Sequence, residues 1–327
     1  MTSIPPQSRL KRCYRRGIIR QCFWNRAIVW IAVAASSCIS VFIYPALEAE
    51  AEQLSIRRYD VPDGLAHGRV MSIHQDSKGY LWFATFEGLS RFDGYQFTNY
   101  GIRDGLGNLI INMATEDREG RLWVATNGAG VARLLDDPAE QLPGVAATAR
   151  RKFRTYRVSD SADSNRVNQI IFDDEGNLWC ATDAGIYRSA AHQDDLHFEP
   201  IFPGTQPYLT QAAYRDGKGR LWFGLREQLV EYDHVRISKY VPRASEARIH
   251  EIAQVIEDSR GRLLAVDSYG LYEFVEPTDP QNGGKWGQLR LDLAPGQTLS
   301  CIATYIGSLW LGSSQGFLRF RNEGGLR

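Results

Sequence analysis

From residue 54 onward, apolar and polar residues alternate over short runs, and no useful length keeps the 3.6-residue period of a helix. Such runs predict strands, and they come in a fixed order. A first apolar strand (70–73, 111–114, 167–170, 252–255) leads into a D-x-x-G turn. The second strand reads L-W-φ-A-T, with φ apolar, as in Leu81-Trp82-Phe-Ala-Thr85 and Leu122-Trp123-Val-Ala-Thr126. A third strand starts at Gly88, Gly130, Gly185 and Gly270, and a fourth is predicted at 96–100, 153–156 and 235–240.

The whole cassette repeats. The turn Asp is Asp76, Asp117, Asp173, Asp216 and Asp258 in successive copies. The fifth copy replaces Trp with Leu264, and the sixth, around Leu309-Trp310, has lost the Asp. Positions 82, 123, 179, 222, 264 and 310 are 41, 56, 43, 42 and 46 residues apart, and the long second interval holds an Ala- and Pro-rich insertion at 138–150. Four antiparallel strands repeated every 40–50 residues are the signature of a propeller blade. The expected fold is an all-β β-propeller of four-stranded blades. It has six repeat units, either complete or as an incomplete seven-bladed ring, after an N-terminal hydrophobic helix. The sixth unit lacks a fourth strand. Leu54-Ser-Ile56-Arg-Arg-Tyr59, ahead of the first unit, resembles one and would complete the last blade and remove its open edge.

The conserved chemistry within the repeat is structural. Gly serves where a tight turn needs positive φ. The Asp carboxylate accepts backbone N–H groups within the turn. Trp gives each blade a large apolar plate for its neighbour.

These repeats resemble the two-component regulator propeller, roughly V-x-x-I-x-x-D-x-x-G-x-L-W-x-G-T-x-x-G-L-x-R. Units one to three match nearly in full, including the lead-ins Asp63-Gly64-Leu65 and Asp104-Gly105-Leu106, and the resemblance covers about residues 54–320. It implies the extracytoplasmic ligand-sensing part of a bacterial membrane receptor. In such receptors the output module is a histidine kinase or diguanylate cyclase, and the resemblance implies a homodimer where the chain is part of one. It implies no enzyme.

Charge and the leader agree with export. The net charge is zero, but residues 1–47 hold seven basic residues and no acidic one, leaving 31 basic and 38 acidic residues beyond. An acidic body has no footprint for a phosphate backbone, so nucleic acid is excluded as a partner. Residues 1–26 form a basic cytoplasmic n-region, 27–47 a span long enough to cross a bilayer, and 54–327 the propeller. Both a cleaved signal peptide, with Ala49-Glu50-Ala51 as its site, and an uncleaved inner-membrane anchor fit these residues. Of five cysteines, only Cys180 and Cys301 lie in the body, and each is expected to be a small buried hydrophobe.

No nucleophile elbow, P-loop, zinc motif or cofactor signature is present, and the six histidines have no paired metal spacing. The alternative is a propeller enzyme similar to the streptogramin lyases, whose chemistry would need a His base and a metal, with His67 and His250 as the candidates. The favoured expectation is a binding face. In a propeller, the loops from fourth to first strand and from second to third strand share one face around a central funnel. The first set carries His67, Arg69, Asn108, Arg166, Tyr208 and Arg248, and the second carries Phe86, Asn127, Asp183, Arg226 and Tyr269. Arginine, amide and aromatic groups on one funnel suit a small polar ligand or oligosaccharide.

Overall fold

The computed structural model describes residues 57–135, 152–190, 195–201, 209–226, 228–234, 236–240, 251–276, 285–291 and 293–321. The leader, with its 27–47 span, lies outside the described residues. Among those described, no helix is long and apolar enough to cross a membrane. The propeller unit begins at Tyr59.

Six antiparallel sheets follow one another as blades. Blade 1 is β1 (Val70–Gln75), β2 (Leu81–Thr85), β3 (Gly88–Phe92) and β4 (Phe97–Tyr100). Blade 2 is β5 (Ile111–Glu116), β6 (Leu122–Thr126), β7 (Gly130–Leu134) and β8 (Phe153–Tyr156). Blade 3 is β9 (Val167–Phe172), β10 (Asn177–Thr182), β11 (Gly185–Ala190) and the short β12 (Glu199–Pro200). Blade 4 is β13 (Thr210–Arg215), β14 (Leu221–Leu225), β15 (Gln228–Tyr232) and β16 (Ile237–Tyr240). Blade 5 is β17 (Gln254–Glu257), β18 (Leu263–Asp267), β19 (Gly270–Val275) and β20 (Lys285–Leu289). Blade 6 has three strands, β21 (Leu299–Tyr305), β22 (Ser308–Ser313) and β23 (Gly316–Arg321). The only helical pieces among the described residues are two three-residue 3-10 turns, Val61–Asp63 and Ile102–Asp104, at the Asp-Gly-Leu lead-ins. Strand edges differ from expectation by one or two residues: β4 starts at Phe97, β16 at Ile237 and β17 at Gln254, and the first strands of blades 1 to 3 run on to Gln75, Glu116 and Phe172.

The repeat motif explains the local geometry. In the turn of blade 2, Asp117 Oδ1 accepts the N–H groups of Glu119 and Arg121 at 3.1 and 2.9 Å. The Thr that ends the second strand turns its hydroxyl onto the chain ahead: Thr85 Oγ1 donates to Gly88 O at 2.7 Å and Thr126 Oγ1 to Gly130 O at 2.8 Å. Gly130 has φ +83°, and a Cβ there would stand 2.2 Å from Tyr156 O, so no side chain fits.

The core runs between blades rather than within them. Trp82, Ala84 and Leu89 of blade 1 pack on Ile111, Ala114 and Val124 of blade 2. Trp123 and Val131 pack on Val167 and Ile170, Trp179 and Ile186 on Ala213 and Phe223, and Trp222 and Leu229 on Val255 and Ala265. Leu264 replaces the plate at the fifth junction, where it meets Ile302 and Leu311. Among the described residues, no such core joins blade 6 to blade 1. Side chains on the first strand stitch the junctions: Gln169 Oε1 accepts Ala213 N–H at 2.8 Å, and Gln254 Oε1 accepts Ile302 N–H at 3.0 Å.

One burial expectation is corrected. Cys180 is buried at the blade 2–3 junction, but Cys301 is exposed. Cys301 occupies on β21 the register position that Ser72, Met113, Gln169 and Gln254 hold on their strands, which puts it on the side of blade 6 that no following blade covers.

Candidate binding face

In each blade the start of the first strand and the end of the second meet, which brings the two loop sets together. Phe86 N–H donates to Arg69 O at 3.3 Å, Asn127 N–H to Ile110 O at 2.9 Å and Asp183 N–H to Arg166 O at 3.2 Å. Neighbouring blades share loops as well, since Gly88 N–H reaches Leu109 O at 2.7 Å, and Asn127 and Arg166 form an isolated bridge.

On blade 1 the loops build a cation–aromatic cluster. The Arg69 guanidinium lies 4.1 Å from the centre of the Phe86 ring, and the His67 ring is 6.2 Å from it. His67 Nδ1 accepts the Arg69 N–H at 3.0 Å. Between blades 1 and 2, Asn108 Nδ2 donates to Asn127 O at 3.0 Å. On blade 3, Arg166 pairs with Asp163 at 2.7 Å and stands 3.8 Å from Asp183. On blade 4 the backbone of Arg226 bridges to Glu251, and on blade 5 Tyr269 is exposed at a turn held by Asp267. Tyr208, Arg248 and His250 lie outside the described residues.

Three residues on this face were not singled out from the sequence. The first strand carries an irregularity near its start, where one residue is skipped in the pairing with the second strand. The skipped residue is Asn112 in blade 2, Asn168 in blade 3 and Gln211 in blade 4. Bulges of this kind redirect side chains at the rims of β structures. Here they aim amides across the junctions: Asn112 Nδ2 donates to Val167 O at 2.8 Å, and Asn168 Nδ2 donates to Thr210 O at 3.0 Å and Asp183 Oδ1 at 2.9 Å. Gln211 Nε2 donates to Glu251 Oε2 at 3.2 Å. The sequence signal was a recurring amide at the second residue of the first strand. The loop that holds Arg166 is set by buried Asn165, whose side chain accepts Val158 N–H at 2.8 Å and donates to Ser159 O at 2.7 Å.

The face can therefore offer forked guanidinium donors, amide groups and carboxylates around an aromatic surface, a set that matches carboxylate and hydroxyl oxygens. A cavity of about 290 Å³ lies elsewhere, by the D-x-x-G turns of blades 4 and 5, lined by Asp216, Arg220, Glu257, Arg262 and Glu276. Its charges are spent on one another: Arg220 pairs with Asp216, Glu231 and Glu276, and Arg262 with Asp258 and Glu273. Among the described residues, no group of three or more His, Cys, Asp or Glu side chains is placed to hold a metal ion.

Residues 64–87 and 105–128 match the family model described as the two component regulator propeller. These two repeats are two component regulator propeller repeats. They contribute His67, Arg69, Phe86, Asn108 and Asn127 to the face just described. Solved structures share the fold. An extracellular domain of a hybrid two component system from B. thetaiotaomicron is 20% identical with a TM-score of 0.61, over 82% of this chain and 35% of its own. A second extracellular domain from B. thetaiotaomicron, of a one component system, is 18% identical with a TM-score of 0.58, over 78% of this chain and 36% of its own. Virginiamycin B lyase from Staphylococcus aureus is 15% identical with a TM-score of 0.60, over 82% of this chain and 85% of its own. This chain thus spans about a third of the two extracellular domains. At these identities the likeness establishes the propeller fold and nothing further. Among curated proteins none matches the sequence.

Proposed function

We propose that the propeller is the extracytoplasmic ligand-sensing part of a two component-type signalling receptor, and that it passes occupancy of its loop face to a histidine kinase or cyclase output module. The observation that carries this reading is that the first of the two repeats matching the regulator propeller family, residues 64–87, also brings Arg69, Phe86 and His67 into one cluster. The ligand class that fits is anionic or polyhydroxyl. Arg69 and Arg226 are exposed, and Arg166 shares its charge with two carboxylates, an arrangement able to bond sugar hydroxyls as well as a carboxylate. The basic n-region and the 27–47 span support export and an inner-membrane location.

The second reading is a propeller enzyme, favoured by the likeness to virginiamycin B lyase over most of both chains. A thermal-shift screen of uronic acids and oligosaccharides tests the ligand assignment, because a ligand that binds only the folded state raises its stability by RT ln(1 + [L]/Kd), and intact recovery of the hit after incubation separates sensor from enzyme. The sensor reading expects a hit that weakens in Arg69→Ala, Arg166→Ala and Arg226→Ala. A screen with no hit in any anionic or polyhydroxyl class overturns the ligand assignment.

A further inference from the structure

The loops of the binding face repeat one pairing. In blades 1, 2 and 3 the residue just before the first strand accepts, through its carbonyl, the N–H of the residue just after the second. The pairs are Arg69 with Phe86, Ile110 with Asn127, and Arg166 with Asp183. Arg69 and Arg166 therefore hold the same position in blades 1 and 3, and the partner residue decides what becomes of each charge. Arg166 stands 3.8 Å from the carboxylate of its partner Asp183 and pairs with Asp163 at 2.7 Å. Asp183 is itself held by Asn168 Nδ2 at 2.9 Å. Two carboxylates around one guanidinium leave a net negative charge on blade 3. In blade 2 the pair, Ile110 and Asn127, is uncharged.

Blade 1 differs. Its partner residue is Phe86, and the Arg69 guanidinium lies over that ring at 4.1 Å instead of against a carboxylate. Among the described residues Arg69 has no ion pair. It is exposed, yet both its main chain and its side chain are held. His67 Nδ1 accepts its N–H at 3.0 Å, its carbonyl accepts from Phe86, and the ring supports the guanidinium. A guanidinium fixed on a ring keeps its N–H edges open and loses little freedom when an oxyanion docks on them as a fork. Arg226 of blade 4 is also exposed, but among the described residues its guanidinium has neither an ion pair nor a ring to hold it.

We propose that Arg69 is the anion anchor of the face, and that Arg166, neutralised by Asp163 and Asp183, reads hydroxyl groups. This rests on the binding-face reading above and deepens it. Over three successive blades the face runs from a free positive charge, through neutral amides, to a net negative charge. A ligand that fits carries one acidic group, bound in a forked pair on blade 1, and a neutral hydroxyl-bearing remainder directed towards blade 3. A second acidic group at blade 3 would meet Asp163 and Asp183. Phe86 is the residue that keeps the anchor free, because a carboxylate in its place would copy the Arg166–Asp183 arrangement into blade 1.

The test labels arginines of the full chain with phenylglyoxal, read residue by residue by peptide mass spectrometry, in the presence of glucuronate or of glucuronamide. The two probes differ only in a carboxylate against a neutral amide. The expected result is that glucuronate slows labelling of Arg69 several-fold more than glucuronamide does, and that added salt removes the difference. The thermal shift should show the same preference for the acid, and Arg69→Gln and Phe86→Asp should each lose it. Equal protection of Arg69 by the two probes, or protection by neither, would overturn the proposal. So would an acid preference undiminished in Arg69→Gln, and stronger protection of Arg166 than of Arg69 would move the anchor to blade 3. Conversion of glucuronate by the native chain would instead overturn the sensor reading and leave the anchor in place.

Discussion

The indole Nε1 of Trp123 donates to Oδ2 of Asp117 at 2.7 Å, tying the interblade plate to the turn six residues before it. The same bond joins Trp82 to Asp76 at 2.7 Å, Trp179 to Asp173 at 2.8 Å and Trp222 to Asp216 at 2.9 Å. One carboxylate thus closes the hairpin with Oδ1 and orients the plate with Oδ2. Replacing Asp117 with Ala leaves a buried indole N–H and two turn amides without their acceptor. The expected cost is about 2–4 kcal/mol, from several lost bonds to one charged group. Urea unfolding of Asp117→Ala checks it, and an unchanged midpoint would show that the turn carries no such weight.

The plates should not be equivalent. Trp123 is fully buried between blades 2 and 3, so Trp123→Ala should cost about 3–5 kcal/mol. Trp310 is half-buried beside a face that no blade covers, so Trp310→Ala should cost clearly less. Paired denaturation curves of the two variants read this difference. Equal losses would mean that Trp310 is covered in solution.

Acid should loosen blade 4 through Asp216. Burial pushes its carboxyl pKa up, but the Trp222 indole and the Arg220 guanidinium outweigh burial and hold it below the ordinary 3.8. A folded pKa below the unfolded one means that the stabilisation is complete above about pH 4 and fades as pH falls through the folded value. Asp216→Asn removes that titration. The variant should be less stable at neutral pH and should lose less further stability between pH 5 and 2, followed by thermal midpoints.

The two body cysteines should react differently. Burial pushes the Cys180 thiol far up, so it stays protonated and shielded, while Cys301 is exposed. Brief alkylation of the native protein, read by peptide mass spectrometry, should modify Cys301 and spare Cys180. Equal modification would place Cys180 outside the blade 2–3 core.

The blades were legible in the sequence because their determinants are local and repeated. Asp117, Gly120 and Trp123 lie within seven residues, and each does the same work in the next copy. The binding face was only partly legible. Arg69 and Phe86 could be assigned to one face from topology, but the approach of the guanidinium to 4.1 Å from the ring centre is a side-chain geometry that topology does not give. Asn112, Asn168 and Gln211 were missed because strand alternation treats a first strand as regular, whereas pairing skips one residue there. Cys301 was misread because its apolar strand pattern implies burial, and burial needs a neighbouring blade that this face of blade 6 lacks.

The central claim, that the loop face binds an anionic or polyhydroxyl ligand and leaves it unchanged, is tested most directly by mass spectrometry of a thermal-shift hit after long incubation with the protein. The expected result is quantitative recovery of the intact ligand, together with loss of the thermal shift in Arg166→Ala. Conversion of the ligand by the native chain, abolished by His67→Ala or His250→Ala, would contradict the claim and establish a propeller enzyme.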